Sequence, residues 1–130
     1  MVQFGYTILY VQDVTKSIEF YEKAFGFERK FIAPGNEYGE LNTGTTTLSF
    51  ASIVLASSNL KDGFLESKLA NKPFAIEIGF VTDDVEQTLK VAENAGATII
   101  QPPAQKPWGQ TVAYARDIDG FLIEVCTPMG

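Results

Sequence analysis

The stretches YTILYVQDVTKSIEFYEKAFGFE (residues 6–28) and IEIGFVTDDVEQTLKVAENAGAT (residues 76–98) decide the fold. Each reads as a strand, an acidic cap, a helix with apolar residues every three or four positions, and a closing glycine. At an offset of 70 residues (76 minus 6) the positions at which the copies match include Val11 and Val81, Asp13 and Asp83, and Gly26 and Gly96. Asp83-x-x-Glu86 predicts a capping box at the second helix. The chain is therefore an internal duplication.

Three strand-like runs follow each helix. The first set is residues 27–32, 37–42 and 45–53, and the second is residues 98–101, 110–116 and 121–126. Turn-forming segments such as APGN, NTG, QPPAQKPWG and DIDG separate them. The pattern predicts an α+β fold in one domain over residues 1–130. We expect a first βαβββ module over about 1–55, a linker over about 56–73 with a helical turn at 64–69, and a second module over about 74–130.

Composition narrows the range of partners and locations. The chain has 130 residues, 45% of them hydrophobic, which suits one domain with a real core. No apolar run reaches the roughly 20 residues that span a bilayer, and the N-terminus lacks the features of a signal peptide. The single cysteine fits a reducing cytoplasm. A net charge of −6 disfavours nucleic acid and favours cationic small molecules.

The absence of histidine restricts the chemistry further. Imidazole is the commonest general base and a frequent metal ligand. Ser–His and Cys–His nucleophile pairs are therefore excluded. A divalent metal site would have to rely on carboxylates and water.

The paired βαβββ modules, the segment VQDV…SIEFYEKAFGF and the pattern PWGxxxxYxRDxxGxxIEV resemble the vicinal-oxygen-chelate superfamily. That group includes glyoxalase I, extradiol dioxygenases, fosfomycin-resistance enzymes and bleomycin-resistance proteins. Trp108-Gly109 and Arg116-Asp117…Gly120 resemble the bleomycin-resistance branch most. The resemblance covers essentially the whole chain. It implies the glyoxalase/bleomycin resistance fold, in which two half-barrels pair into a ligand-binding cup, and a homodimer.

The resemblance also implies where metal ligands would stand, on the first and fourth strands of each module. In this chain those positions are Tyr6, Ser49, Ile76 and Glu124. Only Glu124 is a good ligand for a divalent ion, because a phenol ionises near pH 10 and isoleucine cannot coordinate. Glu77 is an alternative to Ile76, but its parity is opposite to that of Ile78 and Phe80. We therefore predict no metal and no cofactor.

Each candidate residue has a structural and a functional interpretation. Glu124 is either a solvated or Arg116-paired strand carboxylate, a polar anchor for a ligand, or a catalytic base. Trp108 either packs on its own module or stacks on a planar ligand. The predicted ligand-binding set is Tyr6, Ser49, Ile76, Phe80, Trp108, Tyr114 and Glu124, with ordinary core packing as the alternative for the aromatic members. Cys126 is expected to be an inert buried thiol.

Two functions from different classes follow. The first is metal-independent binding of a small aromatic molecule, including cationic ones, of the drug-resistance or sequestration type. The second is a glyoxalase-like lyase or isomerase, in which a metal-bound water or Glu124 moves a proton next to a carbonyl. A non-catalytic sensor domain is a third possibility.

Overall fold

The computed structural model describes residues 1–129 and contains eight strands and three α-helices in that range. In chain order these are β1 (Thr7–Val11), α1 (Val14–Phe25), β2 (Glu28–Ile32), β3 (Tyr38–Asn42), β4 (Thr47–Ser52), α2 (Ile53–Asn59), β5 (Glu77–Val81), α3 (Val85–Ala95), β6 (Thr98–Gln105), β7 (Thr111–Arg116) and β8 (Leu122–Cys126). The strands form two four-stranded sheets, ordered β1-β4-β3-β2 and β5-β8-β7-β6. The predicted α+β fold with two βαβββ modules is confirmed.

The chain divides into two compact units. The first comprises Met1–Glu22 with Gly26–Glu66, and the second comprises Lys23–Phe25 with the chain from Ser67 onward. The boundary after Glu66 lies inside the predicted linker. In each sheet the first and fourth strands run parallel and the remaining pairs are antiparallel.

An aspartate caps each of the two long helices. The side chain of Asp13 accepts a hydrogen bond from the amide of Lys16 at 3.2 Å, and that of Asp84 accepts one from the amide of Gln87 at 3.0 Å. The predicted capping box at Asp83 is therefore wrong by one residue. The caps are 71 residues apart (84 minus 13). The glycines that end the helices remain 70 apart because α3 has 11 residues and α1 has 12.

In the first unit, α1 covers one face of the sheet. Val14, Ile18 and Tyr21 of α1 are fully buried, as is Phe50 of β4. The rings of Tyr21 and Phe50 lie 5.4 Å apart. Gly39 belongs to this helix-covered face, because a Cβ atom there would meet the side chain of Ile18 at 2.5 Å.

In the second unit, α3 covers the corresponding face. Its apolar residues Val85, Leu89 and Ala92 are buried. Ile123 and Val125 of β8 are fully buried. Alternation along a strand places Glu124, between them, on the opposite face.

Two predicted boundaries differ from the structure. The linker helix is α2, and residues 64–69 are not helical. Ser52 starts α2 early, because its hydroxyl accepts a hydrogen bond from the Leu55 amide. Strand β6 continues through QPPAQ, which the sequence predicts as a turn. An edge strand tolerates Pro102 and Pro103, and register shifts accompany them.

Arg116 ties the end of the linker to the DIDG turn. Its buried guanidinium donates hydrogen bonds to three backbone carbonyls, those of Gly120 at 2.9 Å, Lys68 at 3.0 Å and Leu69 at 3.2 Å. Asp117 stabilises the same turn by accepting from the amides of Asp119 and Phe121. Arg116 and Asp117 therefore both stabilise this turn through bonds to backbone groups.

Within residues 1–129, none of the helices combines the length and the apolar character that crossing a membrane would need.

Gly39 and Gly79 provide a matched test of the face assignment. An added methyl at Gly39 meets Ile18, the Phe31 carbonyl and Val14 within 3.2 Å, whereas the nearest atom at Gly79 is 4.0 Å away. We expect Gly39→Ala to lower the free energy of unfolding by about 1–3 kcal/mol. Gly79→Ala should change it by less than about 0.5 kcal/mol. Equal effects in urea unfolding would contradict the assignment.

Candidate functional site

The face of the second sheet that α3 leaves uncovered carries an acidic and aromatic group of side chains. Tyr114 of β7 lies directly opposite Glu124 of β8, and Gly79 of β5 lies directly opposite Glu124 on its other side. A Cβ atom on Gly79 would lie 4.0 Å from the Glu124 carboxylate, which places both residues on this face. Glu77, two residues before Gly79, shares it.

Glu77, Tyr114 and Glu124 form one hydrogen-bonded cluster. The Tyr114 hydroxyl donates to Glu124 Oε1 at 3.2 Å. Burial raises the pKa of Glu77, and a hydrogen bond to Glu124 and the charge of Glu124 raise it further. The pKa of Tyr114 is raised by burial and by the two carboxylates. No Lys or Arg is among the groups that shift the pKa of Glu77 or Tyr114. Within residues 1–129 the cluster is therefore a pair of acidic side chains beside a phenol, with no cation contributing to these shifts.

Two members of the predicted ligand-binding set lie elsewhere. Phe80, a member of that set, is not on the open face, because it lies opposite the fully buried Val125 on the helix-covered face. Ile76 precedes β5 and is 64% exposed. It lines a shallow depression of about 250 Å³ together with Ala75, Glu77 and Leu122.

Glu77 is the site residue that the sequence reasoning rejected. Counting from the helix caps, which lie 71 residues apart, Tyr6 corresponds to Glu77 (6 plus 71) rather than to Ile76. The pairing of Ile8 with Ser49 then corresponds to that of Gly79 with Glu124. Aligning the two modules on their capping aspartates, Asp13 and Asp84, identifies Glu77 as the counterpart of Tyr6. Aligning them on the glycines that end the helices gives Ile76 instead, because α3 is one residue shorter than α1.

The predicted pairing of Glu124 with Arg116 is wrong. Arg116 lies opposite Leu122, and its guanidinium is directed at the carbonyls described above. Glu124 is half-buried and interacts with Tyr114 and Glu77 instead.

The open face of the first sheet is polar but differently composed. The Tyr38 hydroxyl donates to Glu40 at 2.7 Å, and the Lys30 ammonium lies 3.4 Å from the same carboxylate. Burial raises the pKa of Tyr38, and Ser49 opposes that rise. Within residues 1–129 the fully buried Ser49 hydroxyl makes no hydrogen bond of standard geometry, although it is near enough to affect Tyr38. Unlike the acidic pair of the second sheet, the Glu40 carboxylate on this face has a cationic neighbour, Lys30.

The first-strand tyrosines have different environments. Tyr6 precedes β1 and is 54% exposed. Tyr10 is half-buried, and its ring contacts that of Phe64 from the linker, 4.9 Å between centroids. Part of the Tyr10 ring is thus covered by its own unit.

Trp108 is 63% exposed, so packing on its own module does not bury it. Its indole nitrogen donates to Gln110 Oε1 at 2.7 Å. The ring is therefore exposed to solvent and also hydrogen-bonded to Gln110.

The donors in this chain fall short of a metal centre of the family type. Of the four ligand positions that the resemblance implies, Glu77 and Glu124 are carboxylates, while Tyr6 and Ser49 are weak donors for divalent ions. Over residues 1–129, no three acid, cysteine or histidine side chains are grouped so as to hold a metal ion. The two carboxylates alone do not complete a structural or catalytic zinc shell.

The raised pKa of Glu77 predicts a pH-dependent contribution to stability. The folded chain binds a proton at Glu77 more tightly than the unfolded chain, in which the pKa is near its ordinary 4.5. The stabilisation is therefore complete below pH 4.5 and is lost as pH rises through the folded pKa. Because Glu77 is exposed and solvent screens its charge, we expect Glu77→Gln to raise the free energy of unfolding at pH 7 by no more than about 0.5 kcal/mol, with a smaller gain at pH 4.

Glu28→Gln is the matched control, because Glu28 is also an exposed glutamate on an edge strand. Urea unfolding between pH 4 and 8 measures both variants. A gain for Glu77→Gln that is independent of pH, or is matched by Glu28→Gln, would show that the carboxylates do not interact.

Cys126 shares the face of Glu124 and is buried. Burial raises its pKa to about 11, with further contributions from Glu124 and Glu77. Roughly 0.1% of this thiol is then ionised at pH 8, so we expect thiol reagents to react at least about 100-fold more slowly with the folded than with the urea-unfolded chain. Glu124→Gln should speed the folded-state reaction, and Glu28→Gln should not. Rapid reaction of the unmodified folded chain would contradict the raised pKa.

Comparison with known proteins identifies relatives of this chain. It is 28% identical over 124 residues to "Uncharacterized protein YraH" of Bacillus subtilis (strain 168), covering 90% of this chain and 91% of that one. It is 29% identical over 123 residues to a "Probable lactoylglutathione lyase" of Vibrio cholerae serotype O1, covering 92% and 86% respectively.

Solved structures share the fold. A glyoxalase/bleomycin resistance protein/dioxygenase family enzyme from Burkholderia phytofirmans PsJN superimposes with a TM-score of 0.81 at 21% identity, covering 97% of this chain and 98% of that one. The family model "Glyoxalase/Bleomycin resistance protein/Dioxygenase superfamily" matches residues 3–125. With this match over nearly all of its length, and with two βαβββ modules in the fold, the chain belongs to the glyoxalase/bleomycin resistance protein/dioxygenase superfamily.

Proposed function

We propose that this chain binds a small, flat aromatic molecule bearing a cationic or hydrogen-bond-donating group, and does so without a metal. The observation that carries the proposal is the pair of interacting carboxyl groups, Glu77 and Glu124, on an open sheet face. A cation placed between them offsets their mutual repulsion. Such a ligand gains more from this site than a neutral one of the same shape.

Aromatic side chains of the second module support the proposal that the ligand is aromatic. Tyr114 hydrogen-bonds Glu124 directly, and Trp108 on the preceding turn is exposed. Aromatic rings attract both planar ligands and cations through their π faces. The depression beside Glu77 and Leu122 gives a small ligand group room next to the acids. Tyr6 and Ser49 remain in the proposed ligand set as residues of the first module.

The activity is sequestration, as in drug-resistance proteins, rather than turnover. The chain has no histidine and its one thiol is buried with a raised pKa, so neither of the common nucleophile–base pairs is present. We place this activity in the cytoplasm, where a free cysteine persists. We also propose a homodimer, supported by the exposed apolar side chains of Val2, Phe4 and Tyr6.

The second candidate is a glyoxalase-like lyase or isomerase that acts next to a carbonyl. It is favoured by the presence of carboxylates at both ligand positions of the second module, Glu77 and Glu124. The Vibrio cholerae relative carries a name of that class. In this alternative Glu124 accepts the proton, and ligands beyond those two carboxylates would be required.

Calorimetric titration with three bicyclic compounds of similar shape tests the first proposal. We expect 1-methylquinolinium, a cation, to bind more tightly than neutral quinoline, and 1-naphthoate, an anion, to bind least. Glu77→Gln and Glu124→Gln should each weaken the cation about tenfold, because each removes a charged partner. Glu28→Gln should leave all three affinities unchanged.

Elemental analysis of the purified chain separates the two candidates. Metal-independent binding predicts well under one equivalent of Zn, Ni, Mn or Fe per chain and affinities that are unaffected by a chelator. One equivalent of bound metal, together with loss of cation preference, would overturn the first proposal in favour of the second.

A further inference from the structure

Trp108 is the only tryptophan in the chain, and its exposed ring is hydrogen-bonded to the side chain of Gln110. Gln110 accepts from the indole nitrogen at 2.7 Å through its Oε1 atom. Its Nε2 atom donates to the carbonyl of Thr127 at 2.8 Å. Gln110 is itself only 7% exposed. Both ends of its amide are therefore engaged, and the two bonds together fix which way the amide points.

The backbone around Gln110 is held on both sides. The turn before it closes through hydrogen bonds from Lys106 to the Gln110 carbonyl, 2.7 Å, and from Gly109 to the Lys106 carbonyl, 2.9 Å. Gly109 has a φ of 102°, a conformation that side chains rarely adopt, so this turn requires glycine. After it, Thr111 and Thr127 exchange two further hydrogen bonds at the start of β7.

An exposed tryptophan normally loses rotational freedom when a ligand stacks on it, and that loss weakens binding. The bond to Gln110 removes much of this freedom beforehand. The nearly complete burial of Gln110 makes it a rigid support, since its own side chain cannot move without breaking the bond to Thr127. The ring is therefore ordered in advance while 63% of the residue stays accessible.

We propose that Gln110 is a positioning residue that holds Trp108 as a preformed stacking platform for the aromatic part of the ligand. This inference rests on the proposed function and adds the means by which the aromatic part of the ligand is held. Gln110 immediately precedes β7, which carries Tyr114. Glu124 lies opposite Tyr114. The platform therefore belongs to the same unit as the acidic pair.

Spectroscopy of the ligand-free, full-length chain tests the positioning role directly, because Trp108 is its only indole. We expect Gln110→Ala to lower the fluorescence anisotropy of Trp108 and to weaken its near-ultraviolet circular dichroism. Gln110→Met keeps the length of the side chain but offers the indole no oxygen acceptor, so it should lose both signals to the same extent as Gln110→Ala. Gln105→Ala, an exposed glutamine in the same hairpin, is the control.

Unchanged Trp108 spectra in Gln110→Ala would overturn the proposal. Retention of both signals in Gln110→Met would also overturn it, because the bond to the indole would then not be what orders the ring. Thermal unfolding of each variant identifies any general loss of structure, and the comparison is made below the lowest melting temperature.

Calorimetry with 4′,6-diamidino-2-phenylindole and proflavine, two flat aromatic cations, tests the consequence for ligands. We expect Trp108→Ala to weaken the binding of both probes about tenfold and Gln110→Ala about threefold. The double variant should be no weaker than Trp108→Ala, because Gln110 acts through the ring. Independent, multiplicative losses would overturn the positioning role. No binding of either probe to the unmodified chain would contradict the proposed function, and the ligand-free spectra would then decide the role of Gln110 alone.

Discussion

The coverage of one sheet face by a helix is the constraint on which the rest of each module depends. Because side chains alternate along a strand, burying Ile123 and Val125 under α3 commits Glu124 to the other face. The same rule commits Gly79 and Glu77, once β5 pairs in register with β8. The site is thus specified by apolar residues that no ligand would touch. A shift of one residue in β5 would exchange Glu77 for Ile78 and abolish the acidic pair.

The fold could be read from the sequence because its signals are redundant. The duplicated strand–helix–glycine pattern, the apolar spacing of the helices and the turn segments all indicate the same two modules, and small boundary errors do not change that result. The strand through Pro102 and Pro103 was missed, because proline punctuates a chain locally while the tolerance of an edge strand depends on its neighbours. The helix after Ser52 was also missed. Its apolar residues continue the run of a strand, and only the hydrogen bond from the Leu55 amide to the Ser52 hydroxyl marks the start of a helix.

The site was predicted less well because it depends on parity, which a single residue reverses. Glu124 and Tyr114 lie opposite each other on the open face, and the alternation of apolar and polar residues in IEV indicates this direction for Glu124. Glu77 was rejected and Phe80 accepted from one error in the register of β5. Helix length, rather than any property of the strand, caused the error. The sequence gives no signal for the hydrogen bond between Trp108 and Gln110, because only the folded turn brings these two side chains together.

The two prolines of β6 have a consequence for how the sheet ends. A residue without an amide hydrogen cannot donate to a further strand, so the outer edge of the second sheet presents an interrupted row of donors. Register shifts on either side of Gln101 disturb the regularity of this edge as well. Another chain cannot readily lengthen the sheet at this edge, so any polymerisation by strand addition would have to use one of the other edge strands, β1, β2 or β5.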